Sequence, residues 1–198
     1  MKSIDILPDD ILLEVFEFCM DENQIAISGT KSWQSLVHVC RRWRCVVFRS
    51  PRCLDLRLRC TARTPVRDAL DIWPPFPLVI DDIASSTEDM DNVFAALERW
   101  DRVDRIRLRE VNRCSLEKVL AAMQEPFPEL TFLQLSSNEE QVPIVPDSFL
   151  GRSAPRLRFL LLRDIPFPGL PKLLLSATNL VYLDLSNIPH SGYISPDM

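Results

Sequence analysis

Two histidines, six cysteines and a few neighbouring carboxylates are the side chains here whose types are suited to carrying out a reaction. General-base chemistry needs an imidazole beside a nucleophile, yet His38 and His190 stand far apart, in no HExxH or serine-elbow context. Cys19, Cys40, Cys45, Cys53, Cys60 and Cys114 follow the spacing of no zinc or redox site, and no CxxC occurs. With four glycines in the chain, neither GxGxxG nor GxxxxGK[ST] is present to cradle a phosphate. Glu139-Glu140 falls in an expected loop, where solvation accounts for it. No catalytic residue, cofactor or metal site is therefore expected, and the thiols are expected to be buried and free.

Recognition chemistry is better represented. Arg105, Arg107 and Arg109 alternate along one segment, as a row of guanidiniums on one face of a strand would, and such a row suits an anionic or phosphorylated ligand. Phe132, Phe159 and Tyr182 recur at one position of three later segments, and exposed aromatics beside arginines have the composition of an interface hot spot. Gln134, Leu161, Arg163 and Asp184 fall at matching outward positions. Against this stand two plainer readings, rings packed on neighbouring segments and arginines on a solvated sheet face.

The elements that must position these residues form an internal repeat. Val103-Asp104-Arg105-Ile106-Arg107-Leu108, Leu130-Thr131-Phe132-Leu133-Gln134-Leu135, Leu157-Arg158-Phe159-Leu160-Leu161-Leu162 and Leu180-Val181-Tyr182-Leu183-Asp184-Leu185 fit LxxLxL without gaps, the first with valine and isoleucine in place of leucine. Their starts lie 27, 27 and 23 residues apart, within the range of leucine-rich repeats. Weaker copies stand at Leu54-Asp55-Leu56 and Leu78-Val79-Ile80, so six strands are expected. Between them, 90–100, 115–123 and 169–177 carry apolar residues at helical intervals, with Ser115 as an N-cap, and prolines mark the joints. Strands stack about 4.8 Å apart and helices about 8–10 Å apart, so such an array curves, strands on the concave side and helices on the convex side.

The N-terminal part is different in kind. A helix is expected from Pro8, where proline is tolerated and Asp9 and Asp10 suit the positive end of the dipole; Ile11, Leu12, Val15, Phe16 and Cys19 make its apolar face. A loop is expected over 21–31, then a second helix over 33–48 that Ser50-Pro51 closes. Residues 1–30 hold seven acidic side chains against Lys2, and 31–70 hold ten basic ones against Asp55 and Asp68; either solvated helix faces or an electrostatic guide for a partner explains this. The net charge of −5 argues against nucleic acid as the partner. The opening residues carry acids where a signal peptide is apolar, and no long uncharged apolar run follows, so a membrane is not expected and cytosol or nucleus is.

Leu7-Pro8-Asp9-Asp10-Ile11-Leu12-Leu13-Glu14-Val15-Phe16 resembles the opening of an F-box, and Leu36-Val37-His38-Val39-Cys40-Arg41-Arg42-Trp43-Arg44 resembles its second signature. The resemblance covers 4–52, an all-α F-box module, followed by 53–198, a leucine-rich-repeat solenoid of about five to six irregular repeats, whether complete or truncated, in an α/β chain. It implies a substrate adaptor that docks on a Skp-type protein, and through it on a cullin-RING ubiquitin ligase, while the repeats hold a substrate protein. Carried over, the docking surface comprises Leu7, Pro8, Ile11, Leu12, Val15, Phe16, Val39, Cys40 and Trp43, some of which must be internal. The segment 20–32 is longer than the compact family pattern, and the tail 192–198 is too short and broken to form a closing helix. The alternative is a leucine-rich-repeat scaffold whose N-terminal helices merely cap the array.

Overall fold

The computed structural model describes residues 7–20, 33–51, 53–83, 90–139, 141–167 and 170–189. The expected loop at 21–31, Glu140, His190 and the 192–198 tail lie outside the described residues. The chain divides into two compact units, Met1–Leu56 and Arg57–Met198.

The first unit is helical: α1 (Asp9–Met20), α2 (Trp33–Val37) and α3 (Arg41–Arg49). Helix α1 starts as expected, with Asp9 and Asp10 in its first turn and the Leu12 N–H bonded to the Pro8 carbonyl at 3.1 Å. The single helix expected over 33–48 is instead two. His38 and Val39 N–H bond to the carbonyls of Ser35 and Leu36, tightening the end of α2, and Cys40 turns fully extended (φ −158°, ψ 171°). Its Sγ accepts the Trp43 N–H at 3.5 Å, so a thiol stands where an N-cap hydroxyl or carboxylate is usual. The physical reason is reach. A straight helix over 33–48 would run about 24 Å, whereas the break lets Trp33 and Val37 as well as Val46 and Val47 be buried. Phe16 of α1 meets Trp43 of α3 at 4.7 Å between ring centroids, and Arg42 Nη2 and Nε grip Asp9 Oδ1 at 2.7 and 3.2 Å while also donating to the Leu7 carbonyl.

The second unit is mixed α/β around six parallel strands: β1 (Leu58–Cys60), β2 (Leu78–Ile83), β3 (Val103–Val111), β4 (Phe132–Ser137), β5 (Phe159–Arg163) and β6 (Tyr182–Ser186). Their order in the sheet is their order in the chain, and the sheet is not closed. The connections carry α4 (Val66–Ile72), α5 (Asp91–Leu97), α6 (Arg113–Ala122), a 3-10 turn (Phe149–Arg152) and α7 (Leu170–Ser176). Parallel neighbours need such crossovers, because a tight hairpin would reverse the strand. Register runs straight across the repeat: Ile106 pairs Leu133, which pairs Leu160, which pairs Leu183, and Leu108, Leu135, Leu162 and Leu185 follow the same way. The first three of each row are fully buried.

Three of these four strands turn a corner at or near their C-terminal ends. Glu110, Asp164 and Asn187, four residues beyond Ile106, Leu160 and Leu183, take positive φ of 56°, 59° and 54°, a region that short polar side chains tolerate best. At the same place in β4, Ser137 is buried and its hydroxyl donates to the Val111 carbonyl at 2.8 Å.

Two further expectations are corrected, and one helix is added. The first strand lies at Leu58–Cys60, four residues past Leu54-Asp55-Leu56, because 53–55 form a turn: Leu54 and Leu56 N–H bond to the Ser50 and Pro51 carbonyls, and Asp55 has φ 44°. The cap of α6 is Asn112, whose Oδ1 accepts the Ser115 N–H at 2.9 Å, so Ser115 supplies the donor. Helix α4 was not anticipated; its seven residues are too few to show a period.

Candidate recognition surfaces

In the helical unit the apolar residues of α1 separate into two stripes. Leu12 and Phe16 are fully buried, whereas Ile11 is 38% exposed and Val15 39%. Phe18, 74% exposed, extends the outer stripe at the next helical step and was missed in the sequence, although its spacing of three from Val15 and seven from Ile11 is the signal. Pro8 is exposed and Leu7 half-buried at the head of the helix; Val39 stands exposed on the turn before α3. Cys40 and Trp43 are half-buried, the first occupied as a cap and the second against Phe16. Of the nine docking candidates, Leu12 and Phe16 are therefore internal.

In the second unit, strand alternation sends one set of side chains into the core and the other onto an open face. Phe132, Phe159 and Tyr182 pair in register across β4, β5 and β6, with ring centroids 5.9 and 6.3 Å apart. The row continues into β3 as Arg105. Arg107 lies beside Gln134, which pairs Leu161, which pairs Asp184, and the Arg107 guanidinium sits 5.2 Å over the Phe132 ring. Tyr182 is 48% exposed, the two phenylalanines less so, and Arg163 at the end of β5 is exposed beside Asp164 at 3.6 Å.

The arginine row is organised by a residue that sequence reading passed over. Asp81 on β2 receives Arg59 Nη2 at 2.5 Å, Arg107 Nη1 at 3.8 Å and Arg109 Nη2 at 3.7 Å, with its side chain only 11% exposed. Its position is a matter of register, Asp81 opposite Arg107, and a period-two pattern of acid beside base on adjacent strands is the one clue the chain offers. Arg109 Nε is buried without a hydrogen-bond partner among the described residues. Beneath the strand starts, Asp104 binds Arg57 at 2.5 Å and the Thr131 hydroxyl at 2.7 Å.

The cysteines are free, as expected, but not uniformly buried. Cys19, Cys45, Cys53 and Cys114 are exposed, because each lies on the solvent side of a helix or turn, and Cys60 is buried in β1. Burial pushes the Cys60 thiol up from the ordinary 9.0 to about 11, with the Arg102 guanidinium pulling weakly the other way. Arg102 is itself held below its ordinary value, chiefly by burial, and donates to the Phe76 carbonyl from Nη2 and Nε at 2.8 and 3.2 Å. Glu139 accepts the Arg113 N–H at 3.0 Å. Among the described residues, no group of three or more His, Cys, Asp and Glu side chains is placed to hold a metal ion, and no helix is long and apolar enough to cross a membrane. No family model matches the chain, and no curated protein matches it.

Proposed function

We propose that this chain is a substrate-recognition adaptor of a cullin-RING ubiquitin ligase, acting in the cytosol or nucleus and carrying out no reaction itself. The helical unit is an F-box that docks on a Skp-type protein, and the second unit is a curved leucine-rich-repeat solenoid that holds a substrate protein on its concave, strand-lined side. The observation that carries the reading is the apolar stripe Ile11, Val15 and Phe18, which stays exposed after Leu12 and Phe16 have filled the inner face of α1. A helix that keeps a second apolar stripe in water has surface to give to a partner. Support for the other half comes from the sequential parallel strand order and the aromatic and arginine rows of the open face.

A second reading, a repeat scaffold with a helical cap and no ligase role, is favoured by the burial of Leu12 and Phe16. A pull-down of the full chain on a purified Skp-type adaptor separates the two. The adaptor reading expects capture by wild type, its loss in Ile11→Ala/Val15→Ala with the circular dichroism spectrum unchanged, and capture kept in Phe159→Ala. No capture by folded wild type leaves the scaffold reading.

A further inference from the structure

We propose that the open face of the sheet takes one extended peptide of about seven residues lying across the strands, with carboxylate side chains over β1–β3 and apolar side chains over β4–β6. This names the substrate chemistry of the surface described above and rests on reading that surface as the one that holds a protein partner.

Charge supplies the first reason. The chain as a whole carries −5, yet the outward positions of the six strands hold Arg59, Arg105, Arg107, Arg109 and Arg163 against Asp81 and Asp184, with Asp104 and Asp164 beside Arg105 and Arg163 at 3.6 Å. An acidic protein that concentrates guanidiniums on one face has charge complementarity with an acidic segment. The second reason is segregation. Four of those arginines stand on β1 and β3, while β4–β6 present Phe132, Phe159, Leu161 and Tyr182, so the two halves of the face favour different ends of one ligand.

Dimensions agree. Six strands at about 4.8 Å span about 24 Å, the length of about seven residues at about 3.4 Å each. Side chains on one side of an extended peptide recur every ~6.8 Å, and the aromatic rings stand 5.9 and 6.3 Å apart. Apolar residues two apart in such a peptide would each meet a ring.

The arginines also favour single carboxylates over a phosphate. A phosphate dianion needs two or more guanidiniums converging on one open point. The point where three converge already holds the Asp81 carboxylate, which repels a dianion. What is left over β1–β3 is four guanidiniums shared between two carboxylates, Asp81 and Asp104, a diffuse positive excess matched by separate negative charges.

The test is selection of random heptapeptides displayed on phage against the immobilised full chain, followed by fluorescence anisotropy with the enriched sequences. Enriched peptides are expected to be acidic at one end and aliphatic or aromatic at the other. They should bind at least tenfold more weakly to Arg105→Glu/Arg107→Glu and to Phe159→Ala, both with unchanged circular dichroism, and more weakly as salt rises. Absence of enrichment, enrichment without an acidic end, a tenfold gain on replacing the acids by one phosphoserine, or tighter binding of a single-stranded RNA decamer to the same face would each overturn the proposal. Ile11→Ala/Val15→Ala should keep the peptide while losing the Skp-type adaptor. A wild type that captures the adaptor but enriches no peptide defeats this inference alone, and one that does neither defeats both.

Discussion

Replacing Asp81 by asparagine keeps the shape of the side chain and removes the charge on which Arg59, Arg107 and Arg109 converge. At 2.5, 3.8 and 3.7 Å the three attractions are each about 4–7 kcal/mol at an effective dielectric of about 20, before screening. The arginine side chains are 56%, 45% and 41% exposed, so water and salt claim most of that, and pairs of this kind contribute about 0.2–1 kcal/mol apiece. Asp81→Asn should therefore lose about 1–2 kcal/mol, a drop of about 2–8 °C in Tm by scanning calorimetry. The loss should shrink by at least about half between roughly 0.05 and 0.5 M sodium chloride, since the Debye length shortens over that range. An acidic peptide should bind the same variant more tightly than wild type, because three guanidiniums are released from their internal partner. A variant within about 0.3 kcal/mol of wild type at low salt, or one that loses both stability and peptide binding, would refute the view of Asp81 as an internal counter-ion occupying the basic half of the face.

Three other outcomes follow from particular contacts. Leu133 is fully buried in the middle of its row, so Leu133→Ala should cost about 2–5 kcal/mol, read from the urea midpoint; a change under about 1 kcal/mol would mean the repeat core repacks around the loss. Gly151 sits at φ 58°, and a Cβ there would lie 2.8 Å from the Pro126 backbone nitrogen; Gly151→Ala should destabilise by about 2–4 kcal/mol in the same assay, strain and crowding together. The Cys60 thiol ionises at about 11 in the fold against 9.0 ordinarily. The unfolded chain thus releases that proton first, and stability should fall by about 2–3 kcal/mol as pH rises through this window. Cys60→Ala should flatten the slope, and equal slopes in the two proteins would count against burial as its cause.

Long-period features were readable from the chain. LxxLxL placed β3 to β6 because leucines at alternate positions must share a face, and the spacing of the copies left room for crossovers. Features that depend on one hydrogen bond were not. The break at Cys40 rests on a thiol accepting the Trp43 N–H, and the start of α6 on Asn112 rather than Ser115; both residues are short polar cap formers, and periodicity does not choose between neighbours. The displacement of β1 arose because Leu54, Leu56 and Leu58 alternate alike, and only pairing with Leu78 selects the last. For the candidate surfaces, the aromatic row was legible from repeat position alone, but Asp81 was not, since its partners lie on the two flanking strands. On α1 the composition showed more apolar residues than one stripe needs without showing that Leu12 and Phe16, rather than Ile11 and Val15, turn inward.

The corners at Glu110, Asp164 and Asn187 have a consequence for how such a sheet can change. Repeats that start 27, 27 and 23 residues apart still bring Ile106, Leu133, Leu160 and Leu183 into one unbroken register. Most of the difference in length is absorbed in the crossovers; within the strands, register shifts occur at Leu78–Val79 and Leu108–Val111, outside that row. The open face is in that sense a grid with fixed coordinates. A new side chain at one outward position rewrites a single cell, and the leucines behind it keep their partners, so what the face selects can drift without the fold having to drift with it.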